Sequence, residues 1–195
     1  MNSKLKKWNE AYEAVDISMA LPAQVLSENE HLLPKAGDAV DLACGRAGNA
    51  IYLAQRGFKV DAIDISPVVL ESVERFSAES NLPITCICKD VEAEGLGMKN
   101  YDVIVVSYFL NRELFPQIIS ALKPNGLLFY QTWSQQKIDD SGPGNPAFRL
   151  QVGELLSLSN TLLPLFYREE GDYGDKSTGT RNTALIVAVN NSCTI

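Results

Sequence analysis

The sequence predicts an α/β fold built on a mostly parallel sheet, and three observations support this prediction. Apolar runs alternate with helix-like segments through five predicted strands between Ala39 and Thr132, without internal repeats. The run from Tyr101 to Ser107 is almost continuously apolar, as in a strand buried on both faces of a parallel sheet. A small-residue turn from Cys44 to Asn49 joins the first strand to a helix, as in a strand–turn–helix unit.

The elements of this central part follow from hydrophobic runs and from capping and turn residues. Ser66 and Pro67 are typical of an N-cap and a first helical residue, and they precede the second predicted helix. The predicted helices are Ala50 to Gln55, the segment from Pro67 to about Phe76, and Leu114 to Leu122. The predicted strands are Ala39 to Ala43, Lys59 to Ile63, Ile84 to Cys88, Tyr101 to Ser107 and Leu127 to Thr132.

The segment before the first strand predicts helices that cover the core. Leu5, Trp8, Tyr12 and Val15 recur at three- and four-residue steps, which places one apolar stripe on an N-terminal helix. The stripe is typical of packing onto the core, and Trp8 and Tyr12 could alternatively form a lid over a ligand. Pro22 can begin a second short helix that carries apolar residues inward.

The last third of the chain departs from the strand and helix alternation. Residues 135–146 are polar and rich in Gly, Asp and Pro, which predicts a mobile loop. A helix is predicted from Val152 to Ser159, and two strands from Leu162 to Arg168 and from Thr183 to Val189. A Gly-rich segment joins these strands, so we expect an antiparallel hairpin at the edge of the sheet.

Composition restricts the class of protein. A chain of 195 residues with 46% hydrophobic content can bury one core, so one domain is expected. Lys and Arg total 17 against 24 Asp and Glu, giving a net charge of −7, which argues against nucleic acid as a partner. Because neither a signal peptide nor a long apolar run is present, we expect a soluble cytoplasmic protein without a membrane partner.

Cysteine and histidine usage excludes several chemistries. The four cysteines lack paired C-x-x-C spacing and are expected to be reduced thiols. His31 is the only histidine, which disfavours histidine-based metal sites and nucleophile mechanisms, so no metal site is predicted.

Candidate binding residues follow the predicted strands, where ligands of parallel sheets gather. Glycines at 45 and 48 allow a ligand close to the main chain, and Gly45 lies 19 positions before Asp64. A carboxylate at Asp64 could accept hydrogen bonds from a ribose diol, while Asp90 and the N–H of Val91 could contact an adenine. Ser107 and Tyr108 would form the floor of the pocket.

These segments, taken in order, resemble the motifs of class I S-adenosylmethionine-dependent methyltransferases. The stretch from Asp41 to Asn49 is similar to the first motif, which surrounds the methionine part of the cofactor. The stretch from Val60 to Ser66 is similar to the ribose motif, and Lys89 to Val91 to the adenine motif. Tyr101 to Ser107 and Lys123 to Leu128 resemble the fourth strand and the loop entering the fifth.

The details of the first motif refine the resemblance. Ala43 and Ala47 stand where glycine is common, adding two methyl groups close to the predicted cofactor path. The turn Gly45-x-x-Gly48-Asn49, together with the stretch from Phe148 to Leu155, resembles the tellurite-resistance group and related small-molecule methyltransferases. That group has a histidine in the late hairpin, and residues 171–181 have none, so tellurite is not expected as substrate.

The resemblance implies a Rossmann-like three-layer sandwich with a seven-stranded, mostly parallel sheet and an antiparallel C-terminal hairpin. It implies one domain over residues 1–195, comprising a helical cap (1–36), a cofactor-binding core (37–133) and a substrate loop with the hairpin (134–195). The implied cofactor is S-adenosyl-L-methionine, bound by Asp41, Ala43, Cys44, Gly45, Gly48, Asn49, Asp64, Ile65, Asp90, Val91 and Ser107. The implied partner is a small-molecule methyl acceptor, with candidate contacts at Trp8, Tyr12, Tyr108, Arg112, Trp133, Phe148, Arg149 and Arg181.

The expected reaction is in-line transfer of a methyl group, for which a soft or deprotonated nucleophile needs no general base. No catalytic residue and no oligomeric state is predicted. An NAD-linked oxidoreductase is the first alternative, disfavoured because the G-x-G pattern is missing. The second alternative is a protein that binds S-adenosylmethionine without transferring its methyl group.

Overall fold

The computed structural model describes residues 3–13 and 16–191, and a seven-stranded sheet organises them. The sheet runs in the order β3-β2-β1-β4-β5-β7-β6, and the first five strands pair in parallel. β7 pairs antiparallel with both β5 and β6. The strands are β1 (Gly37–Leu42), β2 (Phe58–Asp64), β3 (Ile84–Cys88), β4 (Tyr101–Ser107), β5 (Leu122–Trp133), β6 (Leu163–Arg168) and β7 (Thr183–Val189).

This architecture confirms the predicted fold class. All seven predicted strands are present, and β3, β4 and β7 have the predicted bounds. The final hairpin is present too, but β7 lies inside the sheet between β5 and β6, so β6 alone forms that edge.

Seven α-helices connect or flank the strands in the part of the chain that the structure describes. The predicted cap at Ser66 and first residue at Pro67 are both observed, although the Ser66 hydroxyl contacts Asn9 rather than the helix. The helix predicted from Leu114 is preceded by a 3-10 turn, Arg112–Leu114, and ends two residues early. The helices are α1 (Ser3–Tyr12), α2 (Gln24–Ser27), α3 (Gly48–Ala54), α4 (Pro67–Glu79), α5 (Val91–Glu94), α6 (Phe115–Ser120) and α7 (Glu154–Leu158).

Two hydrophobic cores lie on opposite faces of the sheet because successive strand side chains alternate in direction. In β4, Val103 and Val105 join the core under α3 and α4, whereas Ile104 and Val106 join the core under α6 and α7. The result is a three-layer α/β sandwich in which the carboxyl ends of the parallel strands meet at one edge.

The N-terminal helices differ in how they pack. Val25 and Leu26 of α2 are completely buried, as predicted. The stripe on α1 is not buried in the same way, since none of its residues is buried and only Tyr12 packs against the core. Val15, the last member of the predicted stripe, lies outside the described residues.

Two further observations concern membranes and metals. Within the described ranges, no helix combines the length and apolarity needed to cross a bilayer. The same ranges contain no group of three or more His, Cys, Asp or Glu side chains suited to hold a metal ion.

Candidate functional site

The first strand tip is built around a buried carboxylate. Asp41, at the end of β1, accepts hydrogen bonds from Asn49 Nδ2 at 3.0 Å and from the Ala50 N–H at 3.1 Å. Burial raises the pKa of Asp41 to about 7, and these two donors oppose that shift. Asp41 borders neither cavity described below, so its role here is to hold the start of α3.

The second tip is organised by Asp64, at the end of β2. Its Oδ2 accepts from the Gly45 N–H and its Oδ1 from the Ser66 N–H, both at 2.9 Å. Burial raises its pKa, and these backbone donors again oppose the shift. The Gly45 N–H, expected to face a ligand, is therefore engaged by Asp64. A carboxylate has about four lone-pair sites, so Asp64 can still accept from a hydroxyl of a ligand.

The third tip carries Asp90, two residues after the end of β3. Its Oδ1 accepts from Lys4 Nζ of α1 at 2.9 Å and from the Glu92 N–H at 3.1 Å. The hydrogen bond from Lys4 is the main reason why the pKa of Asp90 lies below its usual value. The N-terminal helix thus reaches the predicted adenine end of the site, a contact that the sequence analysis missed.

A cavity of about 290 Å³ lies along these tips. Eight of the eleven predicted cofactor residues border it: Ala43, Cys44, Gly45, Asp64, Ile65, Asp90, Val91 and Ser107. Trp8 and Tyr12, predicted as acceptor contacts, border this same cavity with their rings stacked at 5.8 Å. The structure therefore brings them beside the cofactor candidates rather than into a separate acceptor site.

A second cavity, of about 320 Å³, adjoins the first. It lies between the start of α3 and residues 20–25, which we call the strap. Gly48 and Asn49 border this second cavity only, whereas four residues border both: Cys44, Arg46, Ser107 and Tyr108. Arg46 and the strap residues were not predicted as site residues.

The strap is fixed by two side-chain amides, one from the start of α3 and one from β5. The Ala23 N–H donates to Asn49 Oδ1 at 2.8 Å, and the Val25 N–H donates to Gln131 Oε1 at 2.9 Å. Gln131 Nε2 in turn donates to the Tyr108 hydroxyl at 2.9 Å. Gln131 was missed, although it is the one amide in the predicted strand Leu127 to Thr132, a signal that could have revealed it.

The small residues of the first turn serve the fold more than was expected. A Cβ at Gly48 would lie 2.1 Å from the Leu21 carbonyl oxygen, so the strap already fills the space that a ligand was expected to use. Ala47 is completely buried and borders neither cavity, so its methyl group does not lie on the predicted cofactor path. Of the two alanines, only Ala43 borders the first cavity.

Three arginines predicted to contact the acceptor instead stabilise loops. Arg112 pairs with Glu154 at 2.6 Å, and buried Arg149 donates to the carbonyls of residues 134, 141 and 143. Arg181 donates to four carbonyls between residues 171 and 178. None of the three borders either cavity, so the structure does not bring them to the site.

Of the three remaining aromatic candidates for the acceptor, only Tyr108 borders a cavity. Tyr108 borders both cavities, and the Trp133 ring lies against it with 4.9 Å between centroids. Trp133 borders neither cavity, and Phe148 is 53% exposed on the surface away from both.

Comparisons with known proteins agree with this geometry. Residues 39–126 match the family described as "Methyltransferase domain". Bacillus subtilis YqeM, named as a methyltransferase, is 32% identical over 124 residues, covering 58% of this chain and 49% of that protein. TehB of Haemophilus influenzae, named as an S-adenosyl-L-methionine-dependent methyltransferase, is 34% identical over 87 residues, covering 43% of this chain and 30% of TehB.

A solved structure extends the similarity in fold. The crystal structure of TehB from Haemophilus influenzae superimposes with a TM-score of 0.68 at 24% identity, covering 95% of this chain and 66% of that one. The chain spans half or less of the curated relatives it matches.

Proposed function

We propose that this chain, whose residues 39–126 match the family described as "Methyltransferase domain", is a class I S-adenosylmethionine-dependent enzyme that transfers a methyl group to a small molecule. The observation that carries the proposal is the first cavity. Its border brings together Gly45, Asp64 and Asp90, in the order in which methionine, ribose and adenine would lie.

Asp64 is the central residue of this proposal. Its two oxygens are oriented by backbone N–H groups, and its remaining lone pairs can accept from a ribose diol. Ser107 and Cys44 lie between the two cavities, which is where the sulfonium would meet the acceptor.

The proposed reaction is an in-line displacement. The acceptor's lone pair forms a new bond to the methyl carbon while the carbon–sulfur bond breaks, and its electron pair stays on sulfur as a neutral thioether. The protein would contribute alignment and exclusion of water. An acceptor that arrives as an anion leaves no proton to remove, which suits a site without histidine.

The acceptor is proposed to be a small molecule because the second cavity, bordered by the strap, measures about 320 Å³. The net charge of −7 argues against nucleic acid. Cys44, Cys86 and Cys88 are free thiols, which suits a reducing compartment such as the cytoplasm. The family match gives no support to the alternative of an NAD-linked oxidoreductase. The other alternative, a protein that binds S-adenosylmethionine without transferring its methyl group, is one outcome of the test below.

Calorimetric titration of the purified protein with S-adenosylmethionine, S-adenosylhomocysteine and NAD tests the proposal. We expect binding of the first two only, weakened by about 1–3 kcal/mol in Asp64→Ala because the diol loses its acceptor. Asp172→Ala, which removes an exposed carboxylate, is the matched control. Circular dichroism of each variant separates lost binding from lost folding.

Tighter binding of NAD, or equal affinity of Asp64→Ala and the control for the adenosyl ligands, would refute the cofactor assignment. Transfer of a labelled methyl group to a panel of small molecules then distinguishes an enzyme from a protein that only binds the cofactor.

A further inference from the structure

We propose that the second cavity is the acceptor site and that it binds a small organic anion, through a carboxylate or comparable oxyanion held by Arg46, Ser107 and Tyr108. This inference rests on the proposed function, and it names the class of acceptor.

The hydrogen-bond network orients the Ser107 hydroxyl as a donor. The Ala23 N–H donates to Asn49 Oδ1, which fixes the amide so that its Nδ2 points toward Asp41 and Ser107. Ser107 Oγ accepts from this Nδ2 at 3.0 Å. A hydroxyl that accepts one bond keeps its own hydrogen available, and Ser107 has no side-chain acceptor among the described residues. Its hydrogen is therefore free to point into the cavity.

The Tyr108 hydroxyl is oriented in the same way. Gln131 Oε1 accepts from the Val25 N–H, so Gln131 Nε2 must face Tyr108. Nε2 donates to the Tyr108 hydroxyl oxygen. The O–H of Tyr108 then remains to donate to a ligand. Tyr108 also has a φ of 55°, which is unfavourable for a bulky side chain, and a bond from its N–H to the Gln131 carbonyl at 2.8 Å holds that backbone. Strained residues of this kind cluster at ligand sites.

Arg46 supplies the positive charge. It borders both cavities and makes no hydrogen bond or ion pair with any residue in the described ranges. Of the eleven residues that border the second cavity, none is Asp or Glu, although the whole chain carries a net charge of −7. Burial raises the pKa of the Cys44 thiol, so this group is neutral there. Asp16, outside this lining, is close enough to Arg46 for its pKa to be lowered in part by that charge, but no hydrogen bond or ion pair joins the two among the described residues. A guanidinium beside two hydroxyl donors, in a cavity lined by no carboxylate, suits an oxyanion.

The same donors could instead hold the carboxylate of the cofactor's own methionine. Acceptor and cofactor would both present a carboxylate, and two pairs of test ligands distinguish which of them these donors hold. Benzoate and benzamide differ in the anionic group alone, whereas methylthioadenosine lacks the amino-acid chain of S-adenosylhomocysteine, including its carboxylate.

The experiment measures binding of benzoate and benzamide by NMR titration, with and without S-adenosylhomocysteine. We expect the wild-type protein to prefer benzoate and Arg46→Gln to bind it at least about tenfold more weakly, because a charge-assisted bond is lost. Tyr108→Phe, which keeps the ring and removes the donor, should also weaken benzoate. Arg75→Gln removes an equal charge from the exposed face of α4 and should leave binding unchanged.

Equal binding of benzoate and benzamide by the wild-type protein, or unchanged benzoate binding in Arg46→Gln, would overturn the inference. So would a loss of affinity in Arg46→Gln for S-adenosylhomocysteine but not for methylthioadenosine, since Arg46 would then hold the cofactor. Failure of the wild-type protein to bind either adenosyl ligand refutes the proposed function instead, and the benzoate titration without them still reports on the cavity.

Discussion

Replacing Gly48 with alanine tests whether the strap and the start of α3 are packed as closely as the structure shows. The new Cβ would lie 2.1 Å from the Leu21 carbonyl oxygen and 2.7 Å from its carbon, distances that real Cβ atoms do not reach. Both neighbours are backbone atoms, so relief requires the strap to move by about 1 Å or more.

That movement breaks the two buried bonds from the Ala23 and Val25 N–H groups, at 2.8 and 2.9 Å. Each unsatisfied buried group costs about 1–3 kcal/mol. Alanine recovers about 1 kcal/mol through its higher helix propensity than glycine. We therefore expect Gly48→Ala to lower the free energy of unfolding by about 1–5 kcal/mol.

Urea unfolding followed by circular dichroism measures this change, and hydrogen exchange at Ala23 and Val25 reports locally on the strap. Gly144→Ala is the matched control, because a Cβ there meets nothing within 4 Å, and it should stay within about 0.5 kcal/mol of wild type. Wild-type stability together with wild-type protection of both amides in Gly48→Ala would refute the close packing.

Three further predictions concern an ion pair, a strained backbone position and a buried arginine, all outside the strap. Arg112 lowers the pKa of Glu154, so the stability of this pair is present above the ordinary pKa of 4.5 and is lost as pH falls below it. Because both groups are partly exposed, the pair contributes only about 1 kcal/mol to the free energy of unfolding. Between pH 7 and pH 3, the free energy of unfolding of Arg112→Gln should therefore fall by about 1 kcal/mol less than that of the wild type, as measured by urea unfolding. Ala43→Gly should raise the free energy of unfolding by about 0.5–1 kcal/mol, because Ala43 has a φ of 55°, and a lower melting temperature would contradict this. Arg149→Met should cost about 2 kcal/mol or more, because three carbonyls lose their donor, and unchanged resistance of residues 135–146 to proteolysis would argue against it.

The fold was predictable because its signals are local in sequence. Apolar runs such as Tyr101 to Ser107 have the length and composition of buried strands, and their alternation with helices specifies a parallel sheet. The position of β7 inside the sheet was not predictable in this way, because pairing between distant strands leaves no mark in either run.

The site was predictable where each residue acts from its own strand tip. Asp64 is the last residue of β2 and Asp90 lies two residues after β3, so their location at one edge follows from topology alone. The arginines were not predictable, since Arg149 is buried at 4% exposure by carbonyls that only tertiary structure brings together. Gly48 was assigned to a ligand because the sequence cannot reveal that Leu21 approaches it.

The manner in which the strap is anchored bears on how acceptor preference could diversify. Both anchors, Asn49 and Gln131, accept hydrogen bonds from main-chain N–H groups of the strap. Every residue type except proline supplies such a donor. Side chains at positions 20, 21 and 24 can therefore be exchanged while the anchoring bonds persist. A library confined to these three codons would reshape one wall of the second cavity and leave the residues that border only the first cavity as they are.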